Sequence, residues 1–370
     1  MISSHAFTIA EMISAVAPCN ATYKAEAQRR LDSLTKPIGS LGSLETIAGQ
    51  VYSIFSGEMP QPLRKAVYVF ASDHGVTEEG VSAYPREVTA QMVLNFLNGG
   101  AAINVLARLH QADLTVVDVG VDYGFDEAPG LCRMKVRRGS RNMHQEAAMS
   151  HEELGQALEA GVRLANEASA KGYHIVAIGE MGIGNTTAAS AITAALTGES
   201  IGTVTGRGAG LDDVGRNRKV HVIKRSLKRH FGASPSNPEP LEVLRSVGGL
   251  EIAAMTGFIF AAAARRMAIV CDGFISTAAA AIAYATAPQV ADYMFAGHCS
   301  EEPGHRHLLR YIGVKPILSL GMRLGEGTGA VLAMPVIESA LHLYSEMATF
   351  SSAGISGAGA APATTRESER

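Results

Sequence analysis

Five short runs of aliphatic and β-branched residues, at 66–71, 114–119, 175–178, 268–271 and 316–320, alternate with stretches of helical character at 87–98, 152–170, 187–196, 250–265 and 277–287. A strand covered on both faces reads as an unbroken apolar run, and parallel neighbours need a crossover, usually a helix, that comes to lie on the sheet. The alternation therefore predicts an α/β chain with a mostly parallel sheet and helices on its faces. Hydrophobic residues make up 47% of the 370 positions, enough for a large core. The 39 glycines and the absence of Trp suit helices packed close over a sheet.

Four of the five runs end in an acid followed by glycine: Asp73-His74-Gly75, Asp118-Val119-Gly120, Glu180-Met181-Gly182 and Asp272-Gly273. Asp at such a place often does no more than cap the next helix. Ligands of open parallel sheets bind at the carboxyl ends of the strands, however, and a row of acids along that edge is what a polar active site requires. The set points to a site there.

Within the row, Gly179-Glu180-Met181-Gly182-Ile183-Gly184-Asn185-Thr186-Thr187 is a strand, a carboxylate, a glycine-rich turn and an Ala-rich helix. Such a turn bares backbone N–H groups at a helix N-terminus, where an anion sits well. The glycines alone are equally what any tight βα turn needs; the preceding Glu180 tilts the reading to a phosphate-bearing substrate with chemistry beside it. Arg323-Leu324-Gly325-Glu326-Gly327-Thr328-Gly329-Ala330 follows the last run and leaves one carboxylate unshielded among glycines. Desolvation in a pocket would raise its pKa towards that of a general base. Thr205-Gly206-Arg207-Gly208-Ala209-Gly210, with Arg216, Arg218 and Lys219 after it, is a second anion-binding candidate, and Lys219 is its expected phosphate partner. It lacks both the strand-first context of a dinucleotide fingerprint and a Walker lysine. Ser82, Tyr84 and Gln91, beyond Asp73-His74-Gly75-Val76, are candidates for orienting a flat ring, while His74 is read as satisfying a loop carbonyl.

Several function classes are set aside. A net charge of -3 with 18% charged residues offers no basic excess for a nucleic-acid backbone and no polybasic membrane patch. Cys19, Cys132, Cys271 and Cys299 form no CxxC pair, which argues against a disulfide framework or structural zinc and for a reducing cytoplasm. The beginning of the chain does not read as a secretory signal, and the apolar stretch 252–264 is too short for a membrane span. Neighbouring His298 and Cys299 diverge, so they are not read, with His305 and His307, as metal ligands. The 325–329 loop has no nucleophilic Ser or Cys, hence no hydrolase elbow.

Residues 1–60 read as largely helical, with a Gly/Pro/Ser break at 36–45 that ends one helix near Leu34 and lets Ser43 cap the next. A further helical stretch covers 334–349, and 351–370, rich in Ser, Gly, Ala and Thr, reads as a disordered tail.

Lys36-Pro37-Ile38-Gly39-Ser40-Leu41-Gly42, Asp73-His74-Gly75-Val76, the 179–187 turn, Val247-Gly248-Gly249, Asp272-Gly273-Phe274 and the 323–329 loop occur in this order in one family. Over about residues 20–350 the chain resembles the nicotinate-nucleotide:5,6-dimethylbenzimidazole phosphoribosyltransferases of cobalamin lower-ligand assembly. The resemblance implies a homodimer with a parallel six-stranded Rossmann-like sheet in a large domain, 61–330, and a small helical domain from both chain ends, 1–60 with 331–350. It implies transfer of the phosphoribosyl group of nicotinate mononucleotide to dimethylbenzimidazole, giving α-ribazole 5′-phosphate and nicotinate, with no metal or cofactor. By motif match, Glu326 takes the catalytic-base position and Glu180 falls where the nucleotide is held; as in glycosyl transfer generally, Glu180 is expected to stabilise cationic character at the anomeric carbon. Gly182, Gly206, Gly208 and Lys219 fall where the nucleotide and its phosphate are held, and Ser82, Tyr84 and Gln91 near the benzimidazole. A nucleotide-dependent oxidoreductase is the competing reading, but Asp73-His74-Gly75-Val76-Thr77 stands where it needs GxGxxG. A catalytically silent nucleotide-binding protein has no need of Glu326 in its full glycine setting.

Overall fold

The computed structural model describes residues 9–125, 128–232 and 238–356. Residues 357–370, most of the expected disordered tail, lie outside the described residues. Seven strands, β1 (Lys65–Ser72), β2 (Ala112–Gly120), β3 (Leu131–Arg133), β4 (Ile175–Met181), β5 (Ala268–Cys271), β6 (Met294–His298) and β7 (Pro316–Leu318), form one sheet in the order β3-β2-β1-β4-β5-β6-β7. Every pairing is parallel. All eight residues of β1 are buried, as a central strand covered on both faces requires.

The count of seven corrects the six-stranded expectation. The runs at 131–133 and 294–298 were not legible as strands. β3 is a three-residue edge piece, and β6, Met-Phe-Ala-Gly-His, contains no β-branched residue and is entered from a 3-10 helix, Pro288–Tyr293. Neither carries a strand signal of its own; each takes its form from the neighbour it pairs with. Ser43 also departs from expectation: it opens the helix Ser43–Ile54, and Gly42 is the N-cap with no side-chain bond.

The strand order reverses between β1 and β4, the place where an open α/β sheet leaves a crevice. Phe70 of β1 lies beside Glu180 of β4, so the last residues of both strands reach the carboxyl edge together. On one face, the helix Leu250–Ala264 is buried at every position but its last, and it packs on the helix His151–Ala170. Glycines set that packing distance: a Cβ on Gly161 would lie 1.8 Å from the Ala254 carbonyl oxygen, and one on Gly257 2.0 Å from that of Leu158.

The chain divides into two compact units, 1–19 with 60–336, and 20–59 with 337–370. The boundary differs from the expected grouping of 1–60. Residues 9–19 belong with the sheet: Met12 and Val16 are buried, the Tyr293 hydroxyl donates to the Ala17 carbonyl, and the Cys19 N–H donates to Asp292. In the second unit the helices Ala21–Ser33 and Ser43–Ile54 pack together, Arg30 donates to the carbonyls of Tyr344 and Ser345, and Lys36 pairs with buried Glu45 at 2.8 Å.

Candidate active site

A cavity of about 450 Å³ opens at the carboxyl edge of the sheet. Its walls come from the end of β4 (Glu180 to Ile183), the start of the helix Asn185–Thr197, Gly208 and Ala209, the 273–275 turn after β5, residues 298–302 after β6, the 323–326 loop, and one face of the helix Glu87–Leu97. Gly184, at φ 98°, is the N-cap of the thirteen-residue helix and makes no side-chain cap; the Asn185 and Thr187 N–H groups donate to the Gly182 and Gly184 carbonyls at 3.1 and 2.9 Å.

Gly325, Glu326 and Gly327 all take left-handed backbone, at φ 87°, 65° and 86°. For Glu that conformation is costly, and it persists only where the surroundings over-determine it. Asp272 is the main restraint. Its Oδ2 accepts from the Gly327 N–H at 3.0 Å, and its Oδ1 accepts from Gly329 at 2.7 Å and Ala330 at 3.1 Å. Gly179 closes the other side, for a Cβ there would stand 2.2 Å from the Gly327 nitrogen. The loop is therefore clamped between β4 and the acid after β5.

Clamping fixes the Glu326 side chain at 5% exposure. Its Oε2 is buried and has no hydrogen-bond partner among the described residues. Burial, reinforced by the charge of Asp272 and opposed by the Ile103 N–H, pushes its carboxyl up to about 7. Asp272 too is pushed up to about 7 by burial, against the pull of its three N–H donors. Glu180 is raised as well. Burial first, then the charges of Glu251 and Asp272 and, least, Glu326, hold it well above the carboxylate range, with only the Asn185 amide drawing it down. Its Oε1 lies 2.5 Å from where a Cβ on Gly325 would be, so Glu180 and Glu326 flank the same glycine.

On another wall, Lys219 is fully buried and donates to the Thr186 hydroxyl at 2.6 Å. Burial depresses its ammonium to about 8, while the Glu302 carboxylate draws it up. Gly208 lies over both partners: a Cβ there would be 2.8 Å from the Thr186 hydroxyl and 3.3 Å from the ammonium. Arg323 reaches across to the Gly208 carbonyl at 3.3 Å and joins the two glycine loops. Glu302 is 7% exposed and its Oε2 has no hydrogen-bond partner among the described residues.

A phosphoribosyltransferase family model matches residues 16–355. The nicotinate-nucleotide–dimethylbenzimidazole phosphoribosyltransferase of Geobacter metallireducens is 51% identical over 94% of this chain and 98% of its own. The chain belongs to the nicotinate-nucleotide–dimethylbenzimidazole phosphoribosyltransferase family. A relative of the same name from Roseiflexus is 50% identical over 94% of this chain and 98% of its own. The crystal structure of CobT from Thermus thermophilus superposes with a TM-score of 0.86 at 47% identity, over 90% of this chain and 99% of that one.

Of the residues that the family resemblance singled out, Glu180, Gly182, Gly208, Tyr84 and Glu326 line the main cavity. Lys219 lies beneath its wall, behind Thr186 and Gly208. Gly206 stands behind the wall residue Glu302, whose carboxylate lies 2.1 Å from the position of a Gly206 Cβ. Ser82 lines a small neighbouring cleft of about 50 Å³ that shares the 182–186 turn. Gln91 is on the wrong face. It lines a separate cleft of about 320 Å³ with Asp73, Arg86 and Asp122, and Val88 and Met92 take the places on the cavity side. One residue along a helix is a turn of about 100°, so a list of nearby polar residues cannot stand in for helix phase.

The sequence also missed Asn185, His298 and Glu302, all at the cavity. His298, Ser300 and Glu302 alternate along the extended chain leaving β6, a period-2 signal that an unrecognised strand hid. The His74 side chain meets an acid at Nε2, which lies 2.7 Å from Glu251 Oε1, with both side chains buried. His298 and His305 have ring centroids 6.2 Å apart. His305 is engaged at both nitrogens, with Nδ1 accepting from the Ser300 N–H at 2.9 Å and Nε2 at 3.0 Å from the Thr277 hydroxyl.

Proposed function

We propose that this protein transfers the phosphoribosyl group of nicotinate mononucleotide to 5,6-dimethylbenzimidazole, yielding α-ribazole 5′-phosphate and nicotinate for the lower ligand of cobalamin. The observation that carries the mechanism is Glu326: a buried carboxylate with one unpartnered oxygen, a pKa of about 7, and a backbone clamped in left-handed form at the cavity. A base with that pKa is ionised in part at neutral pH yet keeps a strong affinity for a proton.

One benzimidazole nitrogen attacks the anomeric carbon. The bond from that carbon to the pyridinium nitrogen breaks, and its electron pair neutralises the ring as nicotinate leaves. The second benzimidazole nitrogen becomes acidic as the new bond forms, and Glu326 takes its proton across about 2.6–3.2 Å. Glu180, whose Oε1 stands over Gly325, faces the same space and stabilises cationic character at the anomeric carbon. The helix N-terminus at Gly184 and the Gly208–Lys219 wall favour the phosphate. Tyr84, Val88, Met92 and Leu324 offer an apolar wall to the base. The reading includes a cytoplasmic homodimer, which sedimentation of the pure protein tests.

Glu326→Gln tests the centre of the proposal. Turnover of nicotinate mononucleotide with dimethylbenzimidazole should fall by roughly 10²–10⁴ with nucleotide binding retained. Near-normal turnover refutes the base role. Offering benzimidazole, adenine and a phenol as competing acceptors identifies the preferred base from the product.

A further inference from the structure

The cleft of about 320 Å³ lies just beyond the carboxyl ends of β1 and β2, and the proposed reaction leaves it unused. The helix Glu87–Leu97 separates it from the main cavity: Val88 and Met92 line the cavity, whereas Ala90, Gln91 and Leu94 line the cleft. Asp73, directly after β1, and Arg86 form its polar end. Asp73 is 2% exposed. Its Oδ2 accepts from the Asp122 N–H at 2.8 Å, and its Oδ1 has no hydrogen-bond partner among the described residues. The Thr89 hydroxyl and the Arg86 guanidinium also draw on this carboxyl, but no hydrogen bond closes on Oδ1. Arg86 turns Nη2 to the Asp122 carboxylate at 3.4 Å, and its buried Nε has no partner among the described residues. One acceptor and one donor therefore stand unused in the same cleft. The loop that brings Asp122 and Tyr123 to it is already fixed: Lys135 donates to the Val121 and Tyr123 carbonyls at 2.7 and 2.6 Å, and Asp118 accepts from the Val121 N–H at 2.9 Å while pairing with Lys135 at 3.0 Å.

We propose that this cleft is a second binding site, for a small planar nitrogen heterocycle that offers an N–H donor to Asp73 Oδ1 and a ring-nitrogen or carbonyl acceptor to Arg86 Nε. A buried polar group with no partner carries its full desolvation penalty, and a ligand with the complementary group removes it. The remaining lining selects the class. Asp73, Glu87 and Asp122 outnumber Arg86, so a carboxylate or phosphate is repelled. Arg86 has turned one nitrogen to Asp122, which leaves a single N–H in place of the two-pronged edge that a carboxylate takes. Ala90, Leu94 and Tyr123 supply an apolar wall for a flat ring. Tyr123 is 47% exposed, and Phe125 steadies its ring edge-on, with centroids 5.0 Å apart. The volume is at the small end for ligand sites and admits one ring or two fused rings. The site stands apart from the phosphoribosyl-transfer reading, because none of its groups lines the main cavity.

Benzimidazole is the probe, since one ring carries both the N–H and the acceptor nitrogen, and without nucleotide no turnover consumes it. Equilibrium dialysis against the full chain should count a site that Leu94→Trp removes, because the larger ring fills the cleft from a helix position that is 38% exposed. Asp73→Asn should weaken that same site by about tenfold or more, as loss of a hydrogen bond to a charged group does. Indene, of the same shape without nitrogen, and benzoate, an anion, should fail to displace benzimidazole from it. A count that Leu94→Trp leaves unchanged overturns the proposal, and so does equal affinity in Asp73→Asn or displacement by indene. If Asp73→Asn does not fold, the Leu94→Trp count and the indene competition decide. The phosphoribosyl-transfer reading fails separately, by absence of product from the parent enzyme, and that failure leaves the Leu94→Trp count as it is.

Discussion

Replacing Gly179 by Ala adds a single methyl group to the middle of the site's support. That methyl would stand 2.2 Å from the Gly327 nitrogen and 2.5 Å from the Glu326 carbonyl carbon, where ordinary contact begins at 3.4 Å. The opposing atoms are backbone, so no flexible side chain can swing aside. The 326–327 peptide must retreat by about 1.2 Å from β4, or β4 must bow away from Val69, its partner in β1. Either movement stretches the Asp272 bonds to Gly327 and Gly329, now 3.0 and 2.7 Å, and carries the Glu326 carboxylate with it. Overpacking of this kind costs about 1–3 kcal/mol. A displacement of about 1 Å in a catalytic group costs on the order of 10²-fold in rate. Gly179→Ala should therefore lower kcat by about two orders of magnitude and lower Tm, while the nucleotide, held mainly by another wall, binds with modest loss. Steady-state kinetics with nicotinate mononucleotide and dimethylbenzimidazole, isothermal titration of the nucleotide, and a melting curve measure the three quantities. Gly155→Ala is the control: nothing lies within 4 Å of its Cβ, and it is inside the helix His151–Ala170, so it should stabilise by about 0.5–1 kcal/mol at unchanged kcat. A Gly179→Ala enzyme with parental kcat and Tm would show that the loop is not clamped as described.

Lys219→Ala should erase most of the preference for nicotinate mononucleotide over its dephosphorylated riboside, and equal discrimination in variant and parent counts against the phosphate role. In the parent, phosphate affinity should weaken as pH rises through about 8, where the buried ammonium loses its proton, as titration calorimetry across that range reads directly. Stability should fall with rising pH as well. Asp272 and Glu326 bind their protons more tightly folded than unfolded, so between their ordinary values of 3.8–4.5 and about 7 the folded state holds the extra protons, and Glu180 acts in the same direction. The stabilisation they confer is complete below the unfolded values and is lost as pH climbs, by about 1.4 kcal/mol per unit for each group. Tm should decline from pH 5 to 8, and Glu326→Gln should flatten that slope; an equal slope in parent and variant refutes the assignment.

Much of the architecture is written in local pattern. The apolar runs at 66–71, 114–119, 175–178 and 268–271 became β1, β2, β4 and β5 because a strand buried on both faces has nowhere to place a polar side chain. The acids that close three of those runs, Asp73, Glu180 and Asp272, did come to the carboxyl edge, and two glycine loops marked cavity walls. β3 and β6 were invisible, since a three-residue edge strand and a strand without β-branched residues carry no period of their own.

The roles of the acids lay beyond that pattern. Glu180, Asp272 and Glu326 are similar letters in similar glycine surroundings, yet one binds three backbone N–H groups, one has an unpartnered oxygen, and one is crowded by the charges of the others. Glu251 has no glycine turn after it to draw attention, and its bond to His74 closes a loop of 177 residues. Gln91 and Met92 are neighbours in the chain, and helix phase alone sends one out of the cavity and the other into it. Periodicity is a property of a few residues in succession, so a string of letters holds it whole. Burial, field and hydrogen-bond partnership belong to groups brought close from distant parts of the chain, and they come into being when the sheet is assembled.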